Sequence, residues 1–298
     1  MFKRKLFHNA YGKTLPYLLL IPTFAVIILF IYWPAVSSFR MSLYKVSPFG
    51  NKTIYTGLSN FENLFKNPDY EKSAWFTLFY VSFTVIATIF LSFILALLLN
   101  QKVPGSRFYR TLIFSPYAVS PAISGTLWSF LLNPVVGHVN YFFMKAFNVQ
   151  VLWLTTKPYA LYALLFSSIW KALPFSIIFY IAALQNVSDE LLESATIEGA
   201  GTLRKIWKIQ FPLVSPITFY LVIMNIISSM FQSFAIIDVM TKGGPGGYTT
   251  TMMYRLFLDA FAYQKTGPAS AQSVVMFLLM AGVTIVYFLF GERKVHYA

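Results

Sequence analysis

The sequence predicts an all-α polytopic membrane protein with six transmembrane helices. Hydrophobic residues make up 57% of the 298-residue chain and charged residues only 11%, whereas soluble globular domains carry about 25% charged residues. Six apolar segments reach the roughly 20 residues that a helix needs to cross a bilayer. Tyr and Trp lie near the ends of several segments, where they anchor helices at the membrane interface. An ordinary soluble domain is therefore excluded.

The six predicted spans are separated by polar connections. They cover residues 15–36, 74–99, 109–132, 159–184, 213–239 and 270–290. The third is interrupted by Pro116, Pro121 and Gly125. Such interruptions are tolerated where neighbouring helices or a cavity satisfy the freed backbone groups. We therefore expect one membrane domain at 15–290, flanked by tails at 1–14 and 291–298.

The basic N-terminus and the first apolar segment look at first like a secretory signal peptide. The segment is too long for such a peptide and no small-x-small cleavage site follows it, so we expect it to remain as the first span. Lys and Arg are denser on the side that holds both termini and residues 188–216, which indicates that this side is cytoplasmic. The outer loops are then about 37–73, 133–158 and 240–269.

Composition also limits the chemistry. The chain has no cysteine, which excludes disulfides and thiolate metal sites, and its histidines, His8, His138 and His296, lie far apart. We therefore expect neither a metal nor a cofactor. A net charge of +13 is also found in nucleic-acid-binding proteins. Lys and Arg that flank membrane spans explain it better, so we expect no nucleic-acid partner.

Residues 188–216 form a polar segment between two apolar spans. Ser188 is a good N-cap for a short helix. Gly199 interrupts that helix, Thr202 is expected to cap a second one, and Pro212 is expected to end it. The pattern predicts two short helices that meet at a glycine turn on the membrane surface, where another protein could bind them.

This segment resembles the EAA loop of ABC importer permeases, whose pattern is Glu-Ala-Ala, three residues, Gly, and a spacer that ends Ile-x-Leu-Pro. The matching residues are Glu193, Ser194, Ala195, Gly199, Ala200, Ile209, Phe211 and Pro212. Ser194, Glu198 and Phe211 depart from the pattern but are close to the usual residues in size or charge. In that family the loop docks into a groove on a cytoplasmic ATPase. The resemblance therefore implies an ATPase-coupling role for Glu193, Ser194, Ala195, Glu198, Gly199, Ala200 and Pro212. We call residues 188–216 the EAA segment.

Further motifs narrow the resemblance. They lie at 105–112, 115–119, 241–245, 271–275 and 294–297. With the EAA segment they resemble the glycerol-3-phosphate branch of the sugar-type ABC importer permeases, a group that includes the maltose permease subunit. The resemblance implies a MetI-like permease fold. It also implies a complex with a second permease subunit, two cytoplasmic ATPase subunits and an extracytoplasmic substrate-binding protein, in which this chain forms half of the pathway.

Other classes of protein fit less well. An ion-coupled secondary transporter, the alternative of a different class, normally places acids or His near the midplane. Here Asp238 is the sole acid inside a predicted span. The sequence shows no nucleophile or metal constellation of an enzyme, and it has no Gly-x-x-x-x-Gly-Lys-Ser/Thr motif. ATP hydrolysis is therefore expected from the partner subunits.

Lys171 is the strongest candidate for substrate contact. It lies near the middle of the 159–184 span, roughly 18 Å from either end at 1.5 Å per residue. A lysine side chain reaches only about 6 Å, so its charge cannot extend to an interface. By resemblance, Ser168, Lys171, Ala172 and Phe175 fall where the maltose subunit binds its neutral sugar.

A cation at this position suits sn-glycerol-3-phosphate or a glycerophosphodiester, and a neutral sugar is the alternative substrate. Lys171 could instead pair with the second permease or bind a backbone carbonyl. Neither of these structural roles would require a substrate charge.

The fifth span carries further polar residues. Asn225, Ser229 and Gln232 are spaced i, i+4 and i+7 and so share one helix face, and Ser233 follows them. These groups could bind substrate or make hydrogen bonds between helices. Tyr80 and Trp128 are interpreted as packing aromatics. The glycine-dense stretch 241–248 predicts either a flexible turn or a close approach to another chain.

Overall fold

The computed structural model describes residues 2–46, 53–101 and 105–291, and their side chains except those of 2–14, 106, 107, 290 and 291. The C-terminal motif at 294–297 lies outside this part of the chain. The helices are α1 Phe2–Ile27, α2 Trp33–Met41, α3 Ser59–Phe65, α4 Pro68–Leu99, α5 Ser106–Phe114, α6 Pro121–Leu131, α7 His138–Phe147, α8 Tyr159–Leu184, α9 Asp189–Ile197, α10 Thr202–Lys205, α11 Phe211–Leu213, α12 Ser215–Phe231, α13 Ser233–Met240, α14 Met252–Phe257 and α15 Thr266–Gly291.

Shorter elements join these helices. A 3₁₀ turn covers Ser115–Ala118, and π-helical turns cover Ile28–Tyr32, Ile206–Gln210 and Leu258–Ala262. The strands β1 Tyr44–Val46 and β2 Thr53–Tyr55 pair antiparallel, with Tyr44 opposite Tyr55. This hairpin lies in a predicted outer loop and is a small addition to the expected all-α fold.

Five helical segments in the described part of the chain are long and apolar enough to cross a membrane. They are Leu15–Met41, Pro68–Leu99, Tyr159–Leu184, Ser215–Met240 and Thr266–Leu289. The fourth predicted span has the bounds of α8. The second was predicted to begin at residue 74, but α4 begins at Pro68 because the Asn67 side chain accepts a hydrogen bond from the Asp69 amide at 3.0 Å. A capped helix that starts with proline extends beyond the apolar run.

The third predicted span is not one continuous helix. It divides into α5, the 3₁₀ turn Ser115–Ala118 and α6. The Ser120 side chain caps α6 by accepting a hydrogen bond from the Ile123 amide at 3.3 Å, and Pro121 takes the first helical position. The interruption predicted at Pro116 and Pro121 is therefore confirmed, whereas Gly125 lies within α6 and does not interrupt it. The backbone restarts its helix with an ordinary N-cap.

The structure divides into two compact units. The first comprises Met1–Lys66 and Leu258–Met276. In its described part, the buried Asn60 amide donates to the carbonyl oxygens of Ser42 at 2.7 Å and Tyr44 at 3.0 Å, which attaches α3 to the start of the hairpin. Gln272 donates to the buried Asp259 carboxylate at 2.6 Å. Buried polar groups therefore hold this unit together.

The second unit comprises Asn67–Phe257 and Phe277–Ala298. Its core contains residues from α4, α8 and α12. Phe93 packs edge-on against Tyr180, with ring centroids 5.4 Å apart. The inward face of α4 carries a stripe of buried polar residues, namely Ser73, Thr77, Tyr80, Thr84, Thr88 and Ser92. Polar groups within a membrane span are costly unless they face protein or water. This stripe therefore turns α4 toward the rest of the unit.

The glycine-dense stretch is an ordered turn and not a flexible one. The Thr249 hydroxyl donates to the Gly244 carbonyl oxygen at 2.6 Å, and the Thr250 hydroxyl donates to that of Gly243 at 3.1 Å. Gly243 has φ +76°, and a Cβ there would lie 2.6 Å from the Thr250 hydroxyl oxygen and 2.9 Å from the Tyr254 ring. Both the conformation and the space therefore require glycine at 243.

We predict that Gly267→Ala destabilises the protein and that Gly282→Ala does not, although both residues lie in α15. A Cβ on Gly267 would collide with the Tyr44 carbonyl oxygen and lie 3.1 Å from the Asn60 amide nitrogen. Overpacking of this kind typically costs about 1–3 kcal/mol. A Cβ on Gly282 meets no atom within 4 Å. Melting temperatures of the purified variants in detergent test this, and equal values for the two would contradict it.

Candidate functional site

A cavity of about 270 Å³ lies inside the second unit, and many of the side chains that line it are polar. Its walls come from α4, the 3₁₀ turn at 115–118, α6, α8, α12 and α13. All seven residues proposed from the sequence as substrate contacts line it, namely Ser168, Lys171, Phe175, Asn225, Ser229, Gln232 and Ser233. The other lining residues are Tyr80, Thr84, Tyr117, Pro121, Ala172, Met224, Ser228 and Ile236. Helices far apart in sequence therefore bring the predicted residues into one space.

Lys171 supplies the positive charge of this cavity. It is half-buried on α8. Its ammonium nitrogen donates to the Tyr117 carbonyl oxygen at 3.4 Å and lies 5.4 Å from the centre of the Tyr117 ring. Among the residues that the structure describes, no carboxylate lies within 4.0 Å of this nitrogen. A long carbonyl contact and an aromatic face therefore stabilise the charge without neutralising it.

Tyr117 reaches Lys171 because the third span is broken. The 3₁₀ turn at 115–118 directs the Tyr117 backbone and ring toward α8, where the ring stacks on Phe175 with centroids 6.1 Å apart and planes at 19°. Sequence reasoning did not assign Tyr117 to the site. The interruption at Pro116 and Pro121 was the available signal, since broken spans often border a cavity.

Tyr80 does more than fill space between helices. Its ring is 1% exposed, and its hydroxyl shares a 2.5 Å hydrogen bond with Ser168. This bond joins α4 to α8 three residues before Lys171. The earlier interpretation of Tyr80 as a packing aromatic was therefore incomplete, because its hydroxyl also fixes Ser168 at the cavity wall.

The polar groups of the fifth span have different partners. The Asn225 amide nitrogen donates to the Ser176 hydroxyl at 3.0 Å and to the Leu221 carbonyl oxygen at 2.8 Å. Its donors thus bond within the bundle, which was the alternative to substrate contact. Ser233 donates to the Met230 carbonyl oxygen at 3.4 Å. Within the described residues, the side chains of Ser229 and Gln232 have no hydrogen-bond partner and are available to an occupant.

Gln232 lies at the junction of α12 and α13, where the chain keeps helical dihedrals and the Gln232 amide still donates to the Ser228 carbonyl oxygen at 2.8 Å. Helix α12 ends at Phe231 and α13 begins at Ser233, so Gln232 lies in the turn between them and is exposed to the cavity. The sequence predicted a single span here. The segment is still long enough to cross a membrane as a whole.

The EAA segment forms the predicted pair of short helices. The Ser188 hydroxyl caps α9 by accepting a hydrogen bond from the Leu191 amide at 3.4 Å. At the other end, the Ala200 amide donates to the Ala195 carbonyl oxygen at 2.8 Å and the Gly199 amide donates to that of Thr196 at 3.0 Å. Gly199 has φ +80°. This is a Schellman motif, in which a left-handed glycine ends the helix.

Two details of the predicted segment were wrong. Thr202 is not a cap, because Gly201 occupies the capping position and Thr202 is the first residue of α10. Pro212 does not end the second helix, which continues through α11 to Leu213. The π-helical turn Ile206–Gln210 precedes Pro212 and changes the hydrogen-bond register there, so a residue without an N–H fits into the helix.

The two helices of the EAA segment differ in how they are held. The second packs on the bundle, since the rings of Trp207 and Phe211 lie 6.3 Å and 5.4 Å from that of Phe93. The first is attached by a 3.2 Å hydrogen bond from Lys205 to the Thr196 hydroxyl. Its outward residues Glu193, Ser194, Glu198 and Gly199 are exposed, while Ala195, Ala200 and Pro212 are half-buried. Ile197 is 88% exposed, so this helix presents an apolar side chain among polar ones.

Apolar spans around a cavity that contains polar side chains, with a two-helix projection between two of them, define a membrane transport subunit. Residues 88–296 match the family model described as "Binding-protein-dependent transport system inner membrane component", and the chain belongs to this family. It is therefore a multi-pass inner-membrane permease. Binding-protein-dependent transport also excludes the ion-coupled secondary transporter as the general class.

Curated relatives support the narrower resemblance. The chain is 37% identical over 286 residues to the "sn-glycerol-3-phosphate transport system permease protein UgpA" of Escherichia coli (strain UTI89 / UPEC), which covers 96% of this chain and 97% of that protein. It is also 37% identical to the protein of the same name in Yersinia enterocolitica, over 95% of this chain and 96% of that one. The predicted family resemblance is therefore confirmed.

Solved structures show the same fold. A "bacterial ABC transporter involved in the import of the acidic polysaccharide alginate" contains a chain that matches with a TM-score of 0.84 and 22% identity, covering 97% of this chain and 99% of that one. A second structure, of the alginate transporter with "alginate pentasaccharide-bound periplasmic protein", matches with a TM-score of 0.84 and 21% identity. The predicted permease fold is therefore confirmed.

Proposed function

We propose that this permease forms half of the transmembrane pathway of an ATP-driven importer for sn-glycerol-3-phosphate or glycerophosphodiesters. The observation that carries the proposal is the Lys171 ammonium, which lies in the cavity without a carboxylate within 4.0 Å among the described residues. A phosphomonoester carries about 1.5 to 2 negative charges at neutral pH. Transfer of such an ion through a low-dielectric interior requires a compensating charge.

The remaining cavity groups suit a small polar solute. Ser229 and Gln232 offer neutral hydrogen bonds to hydroxyls or phosphate oxygens, and Ser168 lies one helical turn from Lys171. Phe175 supports the Tyr117 ring over which the ammonium lies. A neutral sugar, the alternative substrate, would leave the charge of Lys171 without a counter-charge, and the phosphorylated substrate is therefore favoured. The relatives named for sn-glycerol-3-phosphate transport support the same choice.

The exposed helix of the EAA segment supports coupling to an ATPase. Glu193 and Ile197 project from α9 while the second helix is held on Phe93. A groove on an ATPase subunit could enclose α9 without disturbing the bundle. We therefore assign ATP hydrolysis to two cytoplasmic ATPase subunits, the other half of the pathway to a second permease, and substrate delivery to an extracytoplasmic binding protein.

The proposed arrangement requires one orientation of the chain in the membrane. The EAA segment must face the cytoplasm to meet an ATP-driven partner. The tails at 1–14 and 291–298 then lie on the same side, at either end of the membrane domain at 15–290. The outer loops, including the ordered glycine turn at 243–247, face the binding protein.

Coupling depends on the turn after α9. Gly199→Ala forces a side chain into φ +80°, where a non-glycine residue costs about 1–2 kcal/mol. We expect it to lower ATP hydrolysis stimulated by loaded binding protein, measured on the complete importer in proteoliposomes. Gly201→Ala is the control, since Gly201 has φ −68° and open space around it. Glu193→Lys should also lower stimulation. Normal stimulation in both Gly199→Ala and Glu193→Lys would contradict the coupling role.

Orientation can be measured directly, because the chain has no cysteine. Tyr248 is a poor labelling position, since its ring contacts Phe76 and Lys157. Val135 in an outer loop is 86% exposed. Val135→Cys should react with a membrane-impermeant maleimide added from the outer side, and Lys208→Cys in the EAA segment should react only after lysis. The reverse pattern would invert the topology.

The charge of Lys171 decides the substrate class. Lys171→Met keeps the length and removes the charge, and loss of a charge-assisted hydrogen bond lowers affinity by about ten- to a hundredfold. We expect sn-glycerol-3-phosphate uptake by the reconstituted importer to fall accordingly, while assembly with the ATPase persists. Lys171→Arg should retain part of the activity.

Lys157→Met is the matched control for this charge. Lys157 also lies over a tyrosine ring, 4.9 Å from the centroid of Tyr248, but outside the cavity. Its loss should leave uptake largely intact. Near-normal uptake by Lys171→Met would assign that lysine a structural role.

A further inference from the structure

We infer that Thr84 is a specificity-determining residue whose hydroxyl donates to the anionic group that Lys171 holds. This inference rests on the proposed function and adds α4 as a wall that recognises substrate. Thr84 lines the cavity and is 2% exposed. Its hydroxyl oxygen has no hydrogen-bond partner among the described residues.

The register of two helices places Thr84 level with Lys171. Tyr80 of α4 bonds to Ser168 of α8, and thirteen residues further along α4, Phe93 packs against Tyr180. The two helices therefore run parallel. Thr84, one turn after Tyr80, falls at the height of Lys171 and its neighbour Ala172.

Ala172 explains why the Thr84 hydroxyl has no partner. One turn earlier, the Ser168 hydroxyl of α8 forms a hydrogen bond with the Tyr80 hydroxyl. At the next level α8 presents Ala172, which has no polar group and whose small side chain leaves cavity space. Buried polar groups are normally hydrogen-bonded. An unpaired hydroxyl on a residue that lines the same cavity as the Lys171 ammonium is therefore matched to an occupant with acceptor oxygens.

A single bond rotation would present this hydroxyl to the occupant. The Thr84 oxygen is covered by protein atoms in this structure, although the residue lines the cavity. Threonine in a helix divides between two χ1 rotamers, which place the hydroxyl in two different staggered positions. The rotation breaks no hydrogen bond, because the hydroxyl makes none with the described residues. The donated bond to a phosphate oxygen would then be charge-assisted.

Thr88 provides a matched control on the same helix. It is also buried, and its hydroxyl also has no partner among the described residues. It lies one turn beyond Thr84 and does not line the cavity. The two threonines therefore share chemistry and burial and differ in access to the cavity.

The experiment compares Thr84→Val with Thr88→Val in the complete importer, reconstituted in proteoliposomes and supplied with binding protein carrying sn-glycerol-3-phosphate. Valine keeps the shape and removes the hydroxyl, so both variants should retain their melting temperature. We expect initial uptake to fall about tenfold or more in Thr84→Val and to stay normal in Thr88→Val. Thr84→Ser should retain most activity. Adding Thr84→Val to Lys171→Met should cost little more, because the two groups share one anion.

The outcomes separate this inference from the proposed function. Normal uptake by Thr84→Val, together with impaired Lys171→Met, overturns the inference and leaves the proposed function standing. Equal losses in Thr84→Val and Thr88→Val would assign both threonines to helix packing and also overturn it. Normal uptake by Lys171→Met would overturn both the inference and the proposed function, because both depend on the charge of Lys171.

Discussion

The parallel packing of α4 against α8 is the constraint on which the second unit depends. At one level it joins Tyr80 to Ser168 and so sets the wall of the cavity. Further along it pairs Phe93 with Tyr180 in the core. Phe93 also supports the aromatic rings of the second helix of the EAA segment. One helix pair thus connects the cavity with the surface proposed for coupling, through side chains in direct contact.

The sequence predicted the spans well because the thickness of the bilayer sets the length of the apolar segment that crosses it. It predicted their ends less well, because local hydrogen bonds decide where a helix begins. The Asn67 cap extends α4 beyond its apolar run, and the Ser120 cap restarts the third span after a break. Thr202 and Pro212 were misassigned for local reasons too: Gly201 takes the N-cap position of α10, and a π-helical turn before Pro212 alters the hydrogen-bond register there.

The residues of the site also divide into those that the sequence could predict and those that it could not. Lys171 could be found from sequence because a cation at membrane depth is costly wherever the other helices lie. The shared face of Asn225, Ser229 and Gln232 followed from helical periodicity. Tyr117 and Thr84 could not be found this way, because their roles depend on the register between helices distant in sequence. The same holds for Asn225, whose donors face Ser176 and not the cavity.

The ordered glycine turn at 243–247 has a thermodynamic consequence. Glycine-dense loops usually lose much conformational entropy when a partner orders them. Here the hydroxyls of Thr249 and Thr250 already bond to the turn's own carbonyl groups, and Thr249, Thr250 and Thr251 are buried. The entropy loss has therefore occurred during folding. A protein that docks on this turn would meet a preorganised surface, and its affinity would not be reduced by the ordering of a loop.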